Sequence, residues 1–128
     1  MKIPIKPMSV NVAWQGKRYK TKEYRQYEKD VALFLKPMEI PEGPLEVNYL
    51  FGVSNLGFDT GNAEKPFSDI LSKYYGINDN RFHRIVMEKV KVPKGEEFTS
   101  FNILALGTGS SHSYVGMDSH IPPWMAKV

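Results

Sequence analysis

Between residues 59 and 81 the chain sets oxygen-bearing side chains and a lysine at spacings that suit chemistry on a phosphate. The run DTGNAEKPFSDIL covers 59–71 and GINDNR covers 76–81. Asp59 and Asn62 fall at a loop-to-helix junction, where short polar side chains can face one way and the unbonded N–H groups of a helix start favour an anion. Lys65 and Asp69 stand four residues apart, hence on one helical face. Asp79 and Asn80 follow ten residues later, in the turn before a strand. Carboxylates from a loop, a helix and a strand start suit a hard divalent cation such as magnesium. A metal-bound water beside a lysine makes phosphodiester hydrolysis the natural chemistry of such a set. Plainer roles fit the same residues: Asp59 capping a turn, Asn62 as an N-cap, and Lys65–Asp69 as an exposed pair worth about 0.3–0.5 kcal/mol.

These residues need elements to carry them. From Thr21, an acceptable N-cap, the stripe Tyr24, Tyr27, Val31, Phe34 and Leu35 predicts a first helix that ends before Pro37. Leu45, Val47, Tyr49, Phe51 and Val53 alternate with Glu46, Asn48, Leu50 and Gly52, which predicts a strand with one strongly apolar face. Phe67, Ile70, Leu71 and Tyr74 mark a second helix beginning near Asn62, with Pro66 in its first turn and Gly76 as its stop. Residues 82–92 and 97–106 read as two strands joined by PKGE in a compact hairpin. Residues 1–20 are extended, a loop or loose hairpin around Gln15 and Gly16, and the stretch 107–128 has no period and reads as a tail. The order β, α, β, α, β, β predicts one α/β (α+β) domain over 1–128, its core about 1–106. It is a small mixed β-sheet with two main helices.

Composition narrows the function. A chain of 128 residues with 41% apolar and 12% aromatic residues can build one ordinary core without disulfides or structural metal. The absence of cysteine excludes thiolate nucleophiles, iron–sulfur clusters and cysteine-ligated zinc. No apolar run approaches the roughly 20 residues of a membrane span, and MKIPIKPMSVN has no signal-peptide core. A soluble, cytoplasmic protein with no membrane partner is expected. Charge is unevenly placed: residues 1–36 carry nine bases and three acids, 37–80 two and seven, 81–128 six and four. That is either a scattered solvated surface or a cation-binding acidic middle framed by phosphate-binding arms. In the tail, His112, Asp118 and His120 are types that zinc accepts, but a further donor is missing nearby.

The whole pattern resembles the RusA-type Holliday junction resolvases, small metal-dependent endonucleases of phages and prophages. Asp59, Gly61, Asn62, Lys65, Asp69 and Leu71, followed by Asp79 and Asn80, are similar to that family's central motif and later acid pair. The opening Pro7, Ser9, Val10, Asn11 and Trp14, then Gly16, Lys17, Arg18 and Tyr19, looks like its first segment. The resemblance covers about residues 5–106. It implies a magnesium-dependent endodeoxyribonuclease, with manganese able to substitute, that resolves four-way DNA junctions by paired symmetric nicks in recombination and repair, acting as a homodimer on branched DNA. It carries Asp59, Lys65, Asp69 and Asp79 across as catalytic residues, with Asp59 and Asp79 as metal ligands. Two positions depart from the family: Gly61 stands where it has a metal-site acid, and Asn80 where it has the second of the later pair. Asn80 can still offer a carbonyl oxygen, and Glu64 in the helix's first turn is a candidate replacement for the acid lost at Gly61. Asn11, Trp14, Lys17, Arg18, Lys20, Lys22 and Arg81 are the expected DNA contacts, the bases on phosphate and Trp14 on exposed bases. The alternative is a catalytically weakened or inactive relative that binds branched DNA without cutting it.

Overall fold

A computed structural model describes residues 1–9 and 20–106, together with the backbone of 14–15 and 19. Its elements are β1 (Lys2–Ile3), β2 (Trp14–Gln15), β3 (Tyr19–Lys20), α1 (Lys22–Phe34), β4 (Leu45–Val53), α2 (Thr60–Tyr75), a 3-10 turn (Asp79–Arg81), β5 (Phe82–Lys91) and β6 (Phe98–Ala105). Four strands form a mixed sheet in the order β1-β6-β4-β5, and β2 and β3 form a separate antiparallel ribbon. The small α+β architecture expected from the sequence is therefore present.

Thr21 starts α1 as its pattern predicts: the hydroxyl accepts from the amide of Tyr24 at 3.2 Å, and Tyr24, Tyr27 and Val31 turn into the core. Helix α2 begins earlier than its apolar stripe suggested. Its N-cap is Asp59, so Pro66 lies inside the helix and not in its first turn. Proline has no N–H, and the carbonyl of Asn62 therefore lacks its i+4 donor. Gly76 ends α2 in the left-handed region at φ 65°, where a side chain would be strained.

The two late strands do not form the hairpin that the short PKGE connection suggested. Strand β4 lies between them, parallel to β5 and antiparallel to β6. The reason is visible in β4 itself, all nine of whose residues are buried. A strand buried on both faces takes a central place, whereas β5, largely exposed and rich in charge, suits an edge.

Both helices cover one sheet face, where Val47, Tyr49, Phe51 and Val53 meet Val31, Phe67, Ile70, Leu71 and Phe101. Phe67 is the keystone: its ring lies 5.8 Å from Tyr49, nearly perpendicular, and 5.5 Å from Phe101. On the opposite face Glu46 and Asn48 are fully buried. Asn48 donates to Glu46 at 3.1 Å and to Asn102 at 2.9 Å, and Arg84 Nε stands 3.4 Å from the Glu46 carboxylate. A buried carboxylate requires such company. No helix of the described residues is long and apolar enough to cross a membrane.

Candidate acidic site and nucleic-acid interface

The loop after β4 delivers Asp59 to the start of α2. Asn55 accepts from the amide of Gly57 at 2.8 Å, and Lys89 reaches from β5 to donate to the carbonyls of Leu56 at 2.6 Å and Phe58 at 2.8 Å. Asp59 is exposed and its carboxylate accepts from the amide of Gly61 at 2.9 Å. A cavity of about 270 Å³, lined by residues that include Lys6, Ser54, Asn55, Phe58 and Glu97, opens beside this loop.

Because α2 repeats every 3.6 residues, Asn62, Lys65 and Asp69 continue from Asp59 along one face, while Ala63, Phe67, Ile70 and Leu71 on the other face are buried. Lys65 Nζ lies 3.5 Å from Asp69 Oδ1, with the lysine side chain 60% exposed. Solvent screens such a pair, so its value is positional and its contribution to stability small. A Cβ at Gly61 would meet Asp59 Oδ1 at 3.3 Å, a tight contact, so a side chain at position 61 requires the Asp59 carboxylate to shift by a few tenths of an ångström.

Glu64 is committed elsewhere. Its carboxylate accepts from Ser68 Oγ at 2.5 Å, and Ser68 is 2.6 Å from the buried hydroxyl of Tyr49. Burial pushes the Tyr49 phenol up, the Ser68 contact opposes this, and the nearby Glu64 charge reinforces it. The expected replacement for an acid at position 61 is thus a group tied one turn further along α2, toward the core.

Asp79 and Asn80 sit in the exposed 3-10 turn, where Asn78 Oδ1 accepts from the amide of Asn80 at 3.1 Å. The sheet register decides their relation to Asp59. Phe82 pairs with Leu45 at one end of β4, and Lys91 with Val53 at the other. Asp59 belongs to the Val53 end, and Asp79, three residues before Phe82, to the Leu45 end. The 16 residues of α2 span the gap, about 24 Å at 1.5 Å per residue. Within one chain Asp59 and Asp79 are therefore not neighbours, which corrects the single constellation read from the sequence. Among the described residues no group of three or more histidines, aspartates and glutamates is placed to hold a metal ion.

The expected DNA contacts divide. Asn11, Lys17, Arg18 and the side chain of Trp14 lie outside the described residues, as do His112, Asp118 and His120. Lys22 is exposed. Lys20 is drawn inward, 3.0 Å from Glu28 and 5.3 Å from the centre of the Tyr24 ring. Arg81 clamps the turn before β4, donating to the carbonyl of Gly43 at 3.0 Å and to that of Pro41. These two bases hold the fold together more than they face solvent. Sequence reasoning missed Lys73, which shares Glu28 with Lys20 at 3.3 Å and adds a positive charge on the α2 side. Its place in the last turn of α2 was the available signal.

Set against known proteins, the chain matches no protein-family model and no curated protein.

Proposed function

We propose that this protein is a cytoplasmic, metal-dependent endodeoxyribonuclease that nicks four-way DNA junctions as a homodimer, with the N-terminal end of α2 as its reacting centre. The observation that carries the reading is the row Asp59, Asn62, Lys65 and Asp69, with Asp59 and Lys65 exposed and Asn62 and Asp69 half-buried, on a helix that buries Ala63, Phe67, Ile70 and Leu71 in the core. The helix start offers backbone N–H groups to a phosphate. Lys65 lies within reach of the same phosphate, and Asp69, one turn below, holds its ammonium in place. Magnesium or manganese, when bound between Asp59 and a second acid, supplies charge neutralisation and an activated water.

The second acid is the reason for the dimer. Asp79 of the same copy is a helix length away, so the reading requires the partner's Asp79 beside Asp59. A junction that is nearly two-fold symmetric, cut by two matched nicks, asks for the same symmetry. A second reading, binding without cutting, is favoured by Gly61, Asn80 and the diversion of Glu64 to Ser68, which together leave fewer carboxylates than a metal site prefers.

Binding to a four-way junction, a flap, a fork and a linear duplex, measured across a salt series, tests the DNA reading. We expect the junction to bind tightest. Affinity should fall steeply with salt, by about 500-fold between 50 and 200 mM for five phosphate contacts. Equal affinity for all four DNAs removes the junction, and affinity insensitive to salt removes DNA.

A further inference from the structure

We propose that the outer edge of β5 is the surface on which a second copy of this chain docks, extending the four-stranded sheet into an eight-stranded one across a two-fold axis centred on Val86. Among the described residues no strand pairs with that edge. A strand of ten residues presenting unpaired N–H and C=O groups is a template for another chain. A bulge and a pair of lysines, two of the usual defences, stand at its ends. The register shift opposite Leu45 and Glu46 leaves His83 as an extra residue at the start, and Lys89 and Lys91 occupy the far end. Residues 84–88 between them are regular, and Met87, with Val90 just beyond, is more than a third exposed.

Complementarity selects both the partner and the register. A two-fold axis normal to the sheet keeps each face on its own side, so the axis must pass through a residue paired with its own copy. Centred on Val86, the pairing sets Arg84 opposite the partner's Glu88 and Ile85 opposite the partner's Met87, each twice by symmetry. Opposite charges and apolar pairs facing across antiparallel strands are each favourable. Arg84 already serves Glu46 at 3.4 Å with its side chain 41% exposed. A guanidinium has five N–H donors and accommodates a second carboxylate. Centred instead on Met87, the same strands set Arg84 against Val90 and Glu88 against Val86, which satisfies neither charge. The surface therefore fits itself in one register.

Antiparallel docking has a consequence for the acids. The start of one β5 lies beside the end of the other, so the partner's Asp79 comes to the end of the sheet at which Lys89 holds the loop before Asp59. That consequence rests on the nuclease reading; the interface does not.

The native chain has no cysteine, so a single introduced thiol reports one contact. Val86→Cys places two thiols across the axis at a Cα separation of about 4.5–5.5 Å, within disulfide range. The two Val90→Cys thiols would be eight residues apart along the strands, about 27 Å. Oxidation of the folded variants with copper–phenanthroline is expected to convert Val86→Cys to covalent dimer and leave Val90→Cys monomeric. In sedimentation the native chain runs as a dimer, and Glu88→Arg, which sets like charges opposite Arg84 twice, weakens it at least about 10-fold. Cross-linking of Met87→Cys but not Val86→Cys overturns the register. A native chain monomeric at 100 µM, a concentration of about 10⁻⁴ M well above most dimer constants, overturns the interface. A monomer that still nicks junctions sinks the interface and the site shared between copies while leaving nuclease activity standing, and a dimer that cuts nothing sinks only the nuclease reading.

Discussion

Mixing Asp59→Asn protein with Asp79→Asn protein restores nicking of a four-way junction that neither variant performs alone. The expectation follows from direction. Helix α2 runs the length of the sheet between the two acids, so a site containing both draws them from different copies. In a mixed dimer one site carries both lesions and the other carries neither. Co-expression with random pairing makes half of all dimers mixed, each with one intact site of two, so about a quarter of the wild-type sites survive. Each variant alone should be slower on the order of 10²–10³-fold, the cost typical of removing one preorganised stabilising group from a reacting centre. The product distinguishes the mechanism further: on a supercoiled plasmid with an extruded cruciform, one intact site yields nicked circle, whereas the wild type yields linear DNA. Failure of co-expressed variants to nick at all contradicts the shared site.

The largest effect on stability is expected at Phe67. Phe67→Ala lowers the unfolding free energy by about 3–5 kcal/mol, read from urea midpoints at constant slope. Its ring is fully buried and packs against Tyr49 of β4 and Phe101 of β6, so it ties α2 to the two central strands. A domain of this size has only about 5–15 kcal/mol to lose. Lys65→Ala, two residues away on the exposed face, removes a screened pair and changes stability by less than about 0.5 kcal/mol. A Phe67 variant that loses under 1 kcal/mol would mean that α2 is not anchored through this ring.

What could be read from the sequence was whatever short-range chemistry fixes. Thr21 and the tyrosine spacing place α1, the alternation from Leu45 to Val53 places β4, and Gly76 stops α2, because caps, periods and left-handed turns act over a few residues. Pairing partners are different. A period of two says that 82–91 and 98–105 are strands, but not that β4 lies between them, since a six-residue connection allows either neighbour. The same limit applies to the site. Asp59, Lys65 and Asp69 share one helix and were recognisable as a row, whereas Asp79 follows the helix and its distance depends on which way the next strand runs. Arg81 and Glu64 carry the lesson in side chains: the partners of Arg81 lie about forty residues back in the chain and have no local signature. Glu64 and Ser68 stand four apart on α2, a spacing the sequence shows, but the buried Tyr49 that meets the same hydroxyl comes from β4, nineteen residues before Ser68.

The central claim, that the Asp59 end of α2 cuts branched DNA, is tested most directly by incubating the purified protein with an end-labelled four-way junction in magnesium, in manganese and in EDTA. Paired nicks at symmetry-related positions are expected in either metal, none in EDTA, and an uncut linear duplex. Tight junction binding with no nicks in any metal would contradict the claim.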